Sequence, residues 1–110
     1  EKVLGKEHPD VAQSLNNLAN LYLNQGKYEE AEPLYVRSLE IREKMLGKEH
    51  PDVATSLNNL ASLYWNQGKY EEALPLYEES VRIFTKVLGE QHPNTKTVKS
   101  NYESCLEEMK

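Results

Sequence analysis

Apolar side chains at Val11, Leu15, Leu18, Ala19 and Tyr22 return at intervals of three and four, with polar residues between them. That spacing is one face of an α-helix and predicts a helix over 9–25. Pro9 suits the first helical position, and Asp10 the positive end of the helix dipole. Gly26 is placed to end the helix with a residue free to take positive φ. A second stripe, Tyr28, Ala31, Leu34 or Tyr35, Leu39, and Ile41 or Arg42, predicts a helix over 28–46 that stops at Gly47. Pro33 falls about five residues into it, where proline removes one backbone hydrogen bond. The stripe continues on both sides of Pro33, so the helix is expected to survive. The same signals recur and predict helices over 51–67, 70–88 and 93–109. No stretch alternates as a strand would.

The recurrence is a repeat with a period of 42. Residues 4–45 and 46–87 are identical at 31 of 42 positions, and a decayed third copy begins at LGEQHP and fills 88–110. The opening EKVLG matches the end of one unit and the start of the next, which reads as an array cut inside a unit. Repeats of this kind stack in a line, each burying its apolar face on its neighbours. The third copy carries Lys99 and Glu103 where the first carries Leu15 and Ala19. Its remaining apolar residues, Val98, Tyr102, Cys105, Leu106 and Met109, are expected to pack backwards onto the second unit. It therefore reads as a capping helix. The first unit is left with an uncovered face around Val11, Leu15 and Leu18, and self-association through this N-terminal hairpin is expected, giving a homo-oligomer.

Composition narrows the class further. The 110 residues are 28% charged and 38% hydrophobic, with a net charge of −5, which fits a single folded domain and disfavours nucleic acid as a partner. No apolar run approaches the ~20 residues of a membrane span. The single cysteine, Cys105, points to a reducing, cytoplasmic setting and to a small buried side chain. His8, His50 and His92 recur once per unit before proline, too far apart along a stack to share a metal. They read as linker residues, with His50 placed to cap its helix. The tandem acids Glu29–Glu30 and Glu71–Glu72 begin the second helices and read as solvated charge. No nucleophile–base set and no phosphate-binding glycine loop is present. No enzyme activity, cofactor or metal is expected.

Leu15-x-x-Leu18-Ala19-x-x-Tyr22 followed by Ala31-x-x-x-Tyr35 resembles the tetratricopeptide repeat, with Leu for the usual Trp, Ala for Gly and Tyr for Phe. The 42-residue period, the LG-x-x-HP linker, LNNLA and the Gln-Gly-Lys-Tyr turn are similar to the repeats of kinesin light chains and their bacterial relatives. The resemblance covers nearly the whole chain. It implies an all-α solenoid of antiparallel helix pairs in a right-handed superhelix, closed by the C-terminal helix. It also implies that the first helices of successive units line a concave groove.

On a helical wheel with Leu15 at zero, Val11, Leu18, Ala19 and Tyr22 fall within about 60°. Gln13, Asn16, Asn17, Asn20, Leu23 and Asn24 occupy an arc between about 80° and 200°. In the second unit that arc is Thr55, Asn58, Asn59, Ser62, Trp65 and Asn66, and Asn101 continues it on the cap. Asparagine is a poor helix former, so a run of it is there for another reason. The resemblance implies a ladder of carboxamides facing the groove, able to hold the backbone of an extended peptide through donor and acceptor alike. Asn17 and Asn59 have an alternative use, bonding to a neighbouring helix to set the angle between units. Trp65 replaces Leu23 of the first unit; it reads either as an aromatic anchor for a partner side chain or as a ring folded over the neighbouring helix. Relatives that grip a C-terminal carboxylate use Lys and Arg at positions held here by Asn16, Thr97 and Asn101, and Glu107 and Glu108 fall on the groove side of the cap. A neutral or mildly basic segment is the expected occupant, and a cargo or adaptor scaffold the expected role. Two alternatives are a C-terminal sensor or scaffold array of a larger signalling protein and an engineered consensus-like solenoid.

Overall fold

A computed structural model describes residues 8–110. EKVLG and the start of the first unit at residue 4 lie outside the described residues. Among the described residues five α-helices follow one another: α1 (Pro9–Asn24), α2 (Tyr28–Leu46), α3 (Pro51–Asn66), α4 (Tyr70–Leu88) and α5 (Pro93–Glu108). Among the described residues there is no strand.

The helix ends follow from local chemistry. Pro9, Pro51 and Pro93 open α1, α3 and α5. His8, His50 and His92 sit at the N-caps, and each Nδ1 accepts a hydrogen bond from the backbone N–H two residues on, at 3.0, 3.0 and 3.1 Å. The linker histidines thus do the capping that Ser or Asp performs elsewhere. At the other end of α1, Gly26 N–H donates to Leu23 O (3.0 Å) and Lys27 N–H to Tyr22 O (2.8 Å), with Gly26 at φ +77°. This is the double-bonded helix stop that needs a residue in the left-handed region. Gly68 repeats it at the end of α3. Pro33 and Pro75 lie inside α2 and α4, which continue through them. The flanking Ala31, Tyr35, Ala73 and Tyr77 are at most 2% exposed, and this packing outweighs one missing hydrogen bond.

Within each pair the helices are clipped by a serine. Ser38 Oγ donates to Ala12 O (2.8 Å) and Ser80 Oγ to Ala54 O (2.7 Å). All four residues are fully buried, and alanine admits the close approach. Between units, α2 packs on α3 and α4 on α5. The same repeat position is therefore buried or bare according to its neighbour. Leu60 and Leu63 on α3 are 5% and 0% exposed, whereas their counterparts Leu18 and Leu21 on α1 are 40% and 51% exposed. Covering one such leucine stabilises by about 1.5–3 kcal/mol, so the α2–α3 joint holds the first two units firmly.

Helix α5, expected from its sequence to cap the array, packs with part of its expected stripe. Val98 and Cys105 are buried, and Tyr102 is half-buried. Leu106 and Met109 remain 36% and 41% exposed, although Met109 borders the turn into α4 at Gly68 and Lys69. Lys99 and Glu103 face solvent.

Candidate functional site

The paired asparagines of LNNLA are divided between two duties. Asn59 Nδ2 on α3 donates to Asn16 Oδ1 on α1 (2.9 Å), and Asn101 Nδ2 on α5 donates to Asn58 Oδ1 on α3 (3.2 Å). Asn16 and Asn58, the first of their pairs, accept from the unit that follows, and Asn59 and Asn101, at the second position, donate to the unit that precedes. Each rung joins the two positions of the pair across a joint, and the rungs recur with the 42-residue unit. Asn16 is only 4% exposed, so this position is held inside the joint between units. Its equivalent in α5 is Ser100, exposed at the end of the ladder.

The other positions of the arc divide as follows. Asn17 is exposed and accepts from Gln13 Nε2 (2.9 Å). Asn20 is half-buried and accepts from the Tyr35 hydroxyl. Asn24 is exposed, and Leu23 packs partly buried beside Ala19, Ala31, Tyr35, Leu60 and Leu63. Asn66 is exposed and donates to Ser62 O (2.9 Å). Ser62 Oγ shares a hydrogen bond with the Tyr77 hydroxyl (3.0 Å). Burial drives the Tyr77 pKa upward, with the Ser62 bond opposing, and burial pushes that of Tyr35 up to about 12, so both hydroxyls keep their protons.

Trp65 stands edge-on to two rings of α4, with centroids 5.9 Å from Tyr70 at 87° and 6.2 Å from Tyr77 at 79°. It is half-buried and also lines a depression of about 280 Å³ with Ser62, Asn66, Tyr77, Asn101 and Ser104. A second depression of about 280 Å³ is lined by Thr55, Asn58, Phe84, Asn94, Thr97 and Val98. Both lie between α3 and α5, with α4 contributing Tyr77 to one and Phe84 to the other. The Asn58–Asn101 rung separates them. None of these lining residues is charged.

The structure gives a role to Arg42, which the hydrophobic stripe offered only as an alternative to Ile41. Its side chain on α2 is 4% exposed and reaches both neighbouring first helices: Gln13 Oε1 on α1 (2.7 Å), and Ser56 Oγ (2.9 Å) and Asp52 O (3.3 Å) on α3. Burial lowers its pKa and the Asp52 charge opposes. The matching residues one unit on are Phe84, Thr55 and Val98, in place of Arg42, Gln13 and Ser56. Arg42 thus spans the space between α1 and α3 at the level where the space between α3 and α5 is open. The signal available in the sequence was this matched set of three substitutions. Beside the groove, a depression of about 460 Å³ is lined by Gly68, Lys69, Tyr70, Glu71, Glu72, Glu108 and Met109. Lys69 Nζ lies over the Tyr64 ring, 5.9 Å from its centroid. Among the described residues no three metal-ligating side chains converge, and no helix is long and apolar enough to cross a membrane.

Comparison with known proteins agrees with this geometry. The tetratricopeptide repeat family profile matches residues 1–44, 10–86 and 52–110. The structure superposes on BtubC (BKLC) from P. vanneervenii with a TM-score of 0.83 and 29% identity, over 92% of this chain and 40% of that one. It superposes on a protein from Podosopora anserina, described as a kinesin light chain with nearly identical TPR-like repeats, with a TM-score of 0.89 and 31% identity, over 98% of this chain and 51% of that one. The chain therefore spans about half the length of these relatives or less. No curated protein sequence matches it. Repeats of this family generally serve as protein–protein interaction modules on a non-catalytic scaffold. With a 42-residue unit, all-α hairpins and matches running end to end, the chain belongs to the tetratricopeptide repeat family, in its kinesin light chain-like form.

Proposed function

We propose that this chain binds an extended segment of another protein along the face where α1, α3 and α5 lie side by side, as a cargo or adaptor scaffold and without catalysis. One observation carries the reading. The furrow between α3 and α5 is lined by hydroxyl and carboxamide groups around Trp65 and by no charge. Such a lining suits a peptide backbone, which offers donors and acceptors but no net charge. Trp65 supplies the large, low-entropy apolar surface on which such contacts concentrate. The carboxylates of Glu71, Glu72 and Glu108 stand beside the Trp65 end, so a neutral or mildly basic segment fits better than an acidic one. A cytoplasmic setting belongs to the same proposal and rests on the lone cysteine.

The test is capture from a peptide library by the wild-type chain and by Asn58→Ala/Trp65→Leu. Leucine is the residue at the matching site of the first unit, and unchanged helical circular dichroism checks that the double variant keeps the fold. Loss of capture supports the groove, and equal capture rejects it.

A second surface has its own support. Leu18 and Leu21 of α1 are exposed while Leu60 and Leu63, their equivalents, are covered by α2. We propose self-association through this face. The mass in light scattering then rises with concentration and falls back to monomer in Leu18→Lys/Leu21→Lys. A monomeric mass at every concentration rejects it.

A further inference from the structure

The positions by which one unit docks on the next recur along the chain. On α3, Val53, Ser56, Leu60 and Leu63 are at most 5% exposed, and α2 is the helix packed there. On α5 the matching residues are Thr95, Val98, Tyr102 and Cys105. Three are buried, and Tyr102, half-buried, donates its hydroxyl to Glu78 of α4. On α1 the same positions are Val11, Ser14, Leu18 and Leu21. Val11 is half-buried and the other three are exposed. They follow at intervals of three, four and three, the spacing of a coiled-coil seam. A seam that takes a helix in both later units is shaped to take one here.

Two observations select α1 of a second copy as that helix. The first is symmetry. Three, four, three reads the same in either direction, so a reversed copy matches the seam position for position. Val11 then lies opposite Leu21 of the second copy and the small Ser14 opposite its Leu18, with the two 16-residue helices overlapping almost end to end. The second is charge. Asp10 is the one charged residue of α1. In the antiparallel arrangement it lies level with Tyr22 of the second copy. The two Asp10 side chains are then about 18 Å apart along the axis, beyond a screening length of about 8–10 Å. The far end of the array offers no such match. The exposed side of α5 presents Lys96, Lys99, Glu103 and Glu107 around Leu106. Stacking copies head to tail would press Leu18 and Leu21 against charges and strip those charges of water.

We infer that this chain forms a closed dimer in which α1 packs antiparallel on α1 of a second copy about a two-fold axis. This rests on the self-association reading above and sharpens it to one partner face and one register. A two-fold contact closes at two chains, whereas head-to-tail stacking continues. None of the seam residues lines the α3–α5 furrow, so both furrows stay open and the dimer is bivalent. The experiment follows the mass of the 110-residue chain by light scattering across a concentration series. Val11→Cys and Leu21→Cys are then oxidised separately and as an equal mixture, with helical circular dichroism to check that each keeps the fold. Cys105 is fully buried and stays out of the reaction. The wild-type mass should rise with concentration and level off at two chains. Like positions lie about 15 Å apart, beyond the roughly 7 Å that a disulfide spans between Cα atoms, while unlike ones face each other. The mixture should therefore yield at least fivefold more disulfide-linked pairs than either variant alone. A mass that climbs past two chains, or cross-linking no greater in the mixture than in the separate samples, overturns this inference and leaves self-association standing. A monomeric mass at every concentration overturns both.

Discussion

Arg42 and Ser56 form a pair whose equivalents one unit on are Phe84 and Val98, and the exchange of a polar pair for an apolar one can be tested by a cycle. Arg42 is 4% exposed and Ser56 is 1% exposed, and they are joined at 2.9 Å. Ser56→Val removes one of three acceptors from a buried guanidinium. A hydrogen bond to a charged group contributes about 1.5–3 kcal/mol, so a loss of about 2 kcal/mol is expected. Arg42→Phe leaves the buried Ser56 hydroxyl unpartnered, a cost of about 1–3 kcal/mol, partly offset by the apolar ring. The double variant rebuilds the Phe84–Val98 pairing in the first joint. Its destabilisation should fall short of the summed single effects by about 1.5 kcal/mol or more, within the range of coupling for touching residues. The assay is urea unfolding of all four proteins, followed by helical circular dichroism and Trp65 fluorescence. Additivity to within about 0.5 kcal/mol would refute the coupling. The pairing has a structural consequence. Units identical at 31 of 42 positions could dock out of order, but α5 on α2 would set Val98 against Arg42.

Three further outcomes follow from particular contacts. Asn59→Ala should cost about 1 kcal/mol, the worth of a neutral hydrogen bond, while Asn17→Ala, at the same repeat position but exposed, should cost almost nothing; equal melting shifts would deny the ladder its role. Thr95 is 1% exposed with Oγ1 unpartnered, and the second unit has Val53 there. Thr95→Val should therefore raise stability by about 1 kcal/mol, and a lower unfolding midpoint would contradict this. The hydrogen bond from Arg82, then that from Lys86, holds the Glu49 pKa down to about 2. A depressed carboxylate contributes stability above its unfolded pKa and loses it as pH falls through the folded value. Carboxyl NMR should show Glu49 titrating well below the other glutamates, and Arg82→Ala should return it to the ordinary range; an unmoved midpoint would exclude the ion pair as cause.

The helix pattern was legible because its causes are local. Proline, glycine and the three- and four-residue spacing act over a few residues, and 42-residue identity declares that whatever forms once forms again. The capping histidines were half-legible: their place before proline was visible, but a capping role was read only for His50. Arg42 stood in the stripe only as an alternative to Ile41, because the use of a buried charge is not evident until its partners are known. Those partners lie 29 residues before it and 14 after it. Leu106 and Met109 were placed in contact with the second unit by periodicity alone, which carries no information on which side of a helix a neighbour covers.

By itself, then, the order of residues determined five helices, their ends and their stacking by repeat, since those depend on backbone propensity and an apolar face that must be covered. The tertiary structure decided what the asparagines do. A carboxamide has the same chemistry at Asn16 and Asn17, and only the distance to the next unit makes one a buried acceptor and the other a solvated side chain. It also decided that the space between α3 and α5 stays open where Arg42 spans its predecessor, because hydrogen bonds between units depend on separations that no single helix encodes.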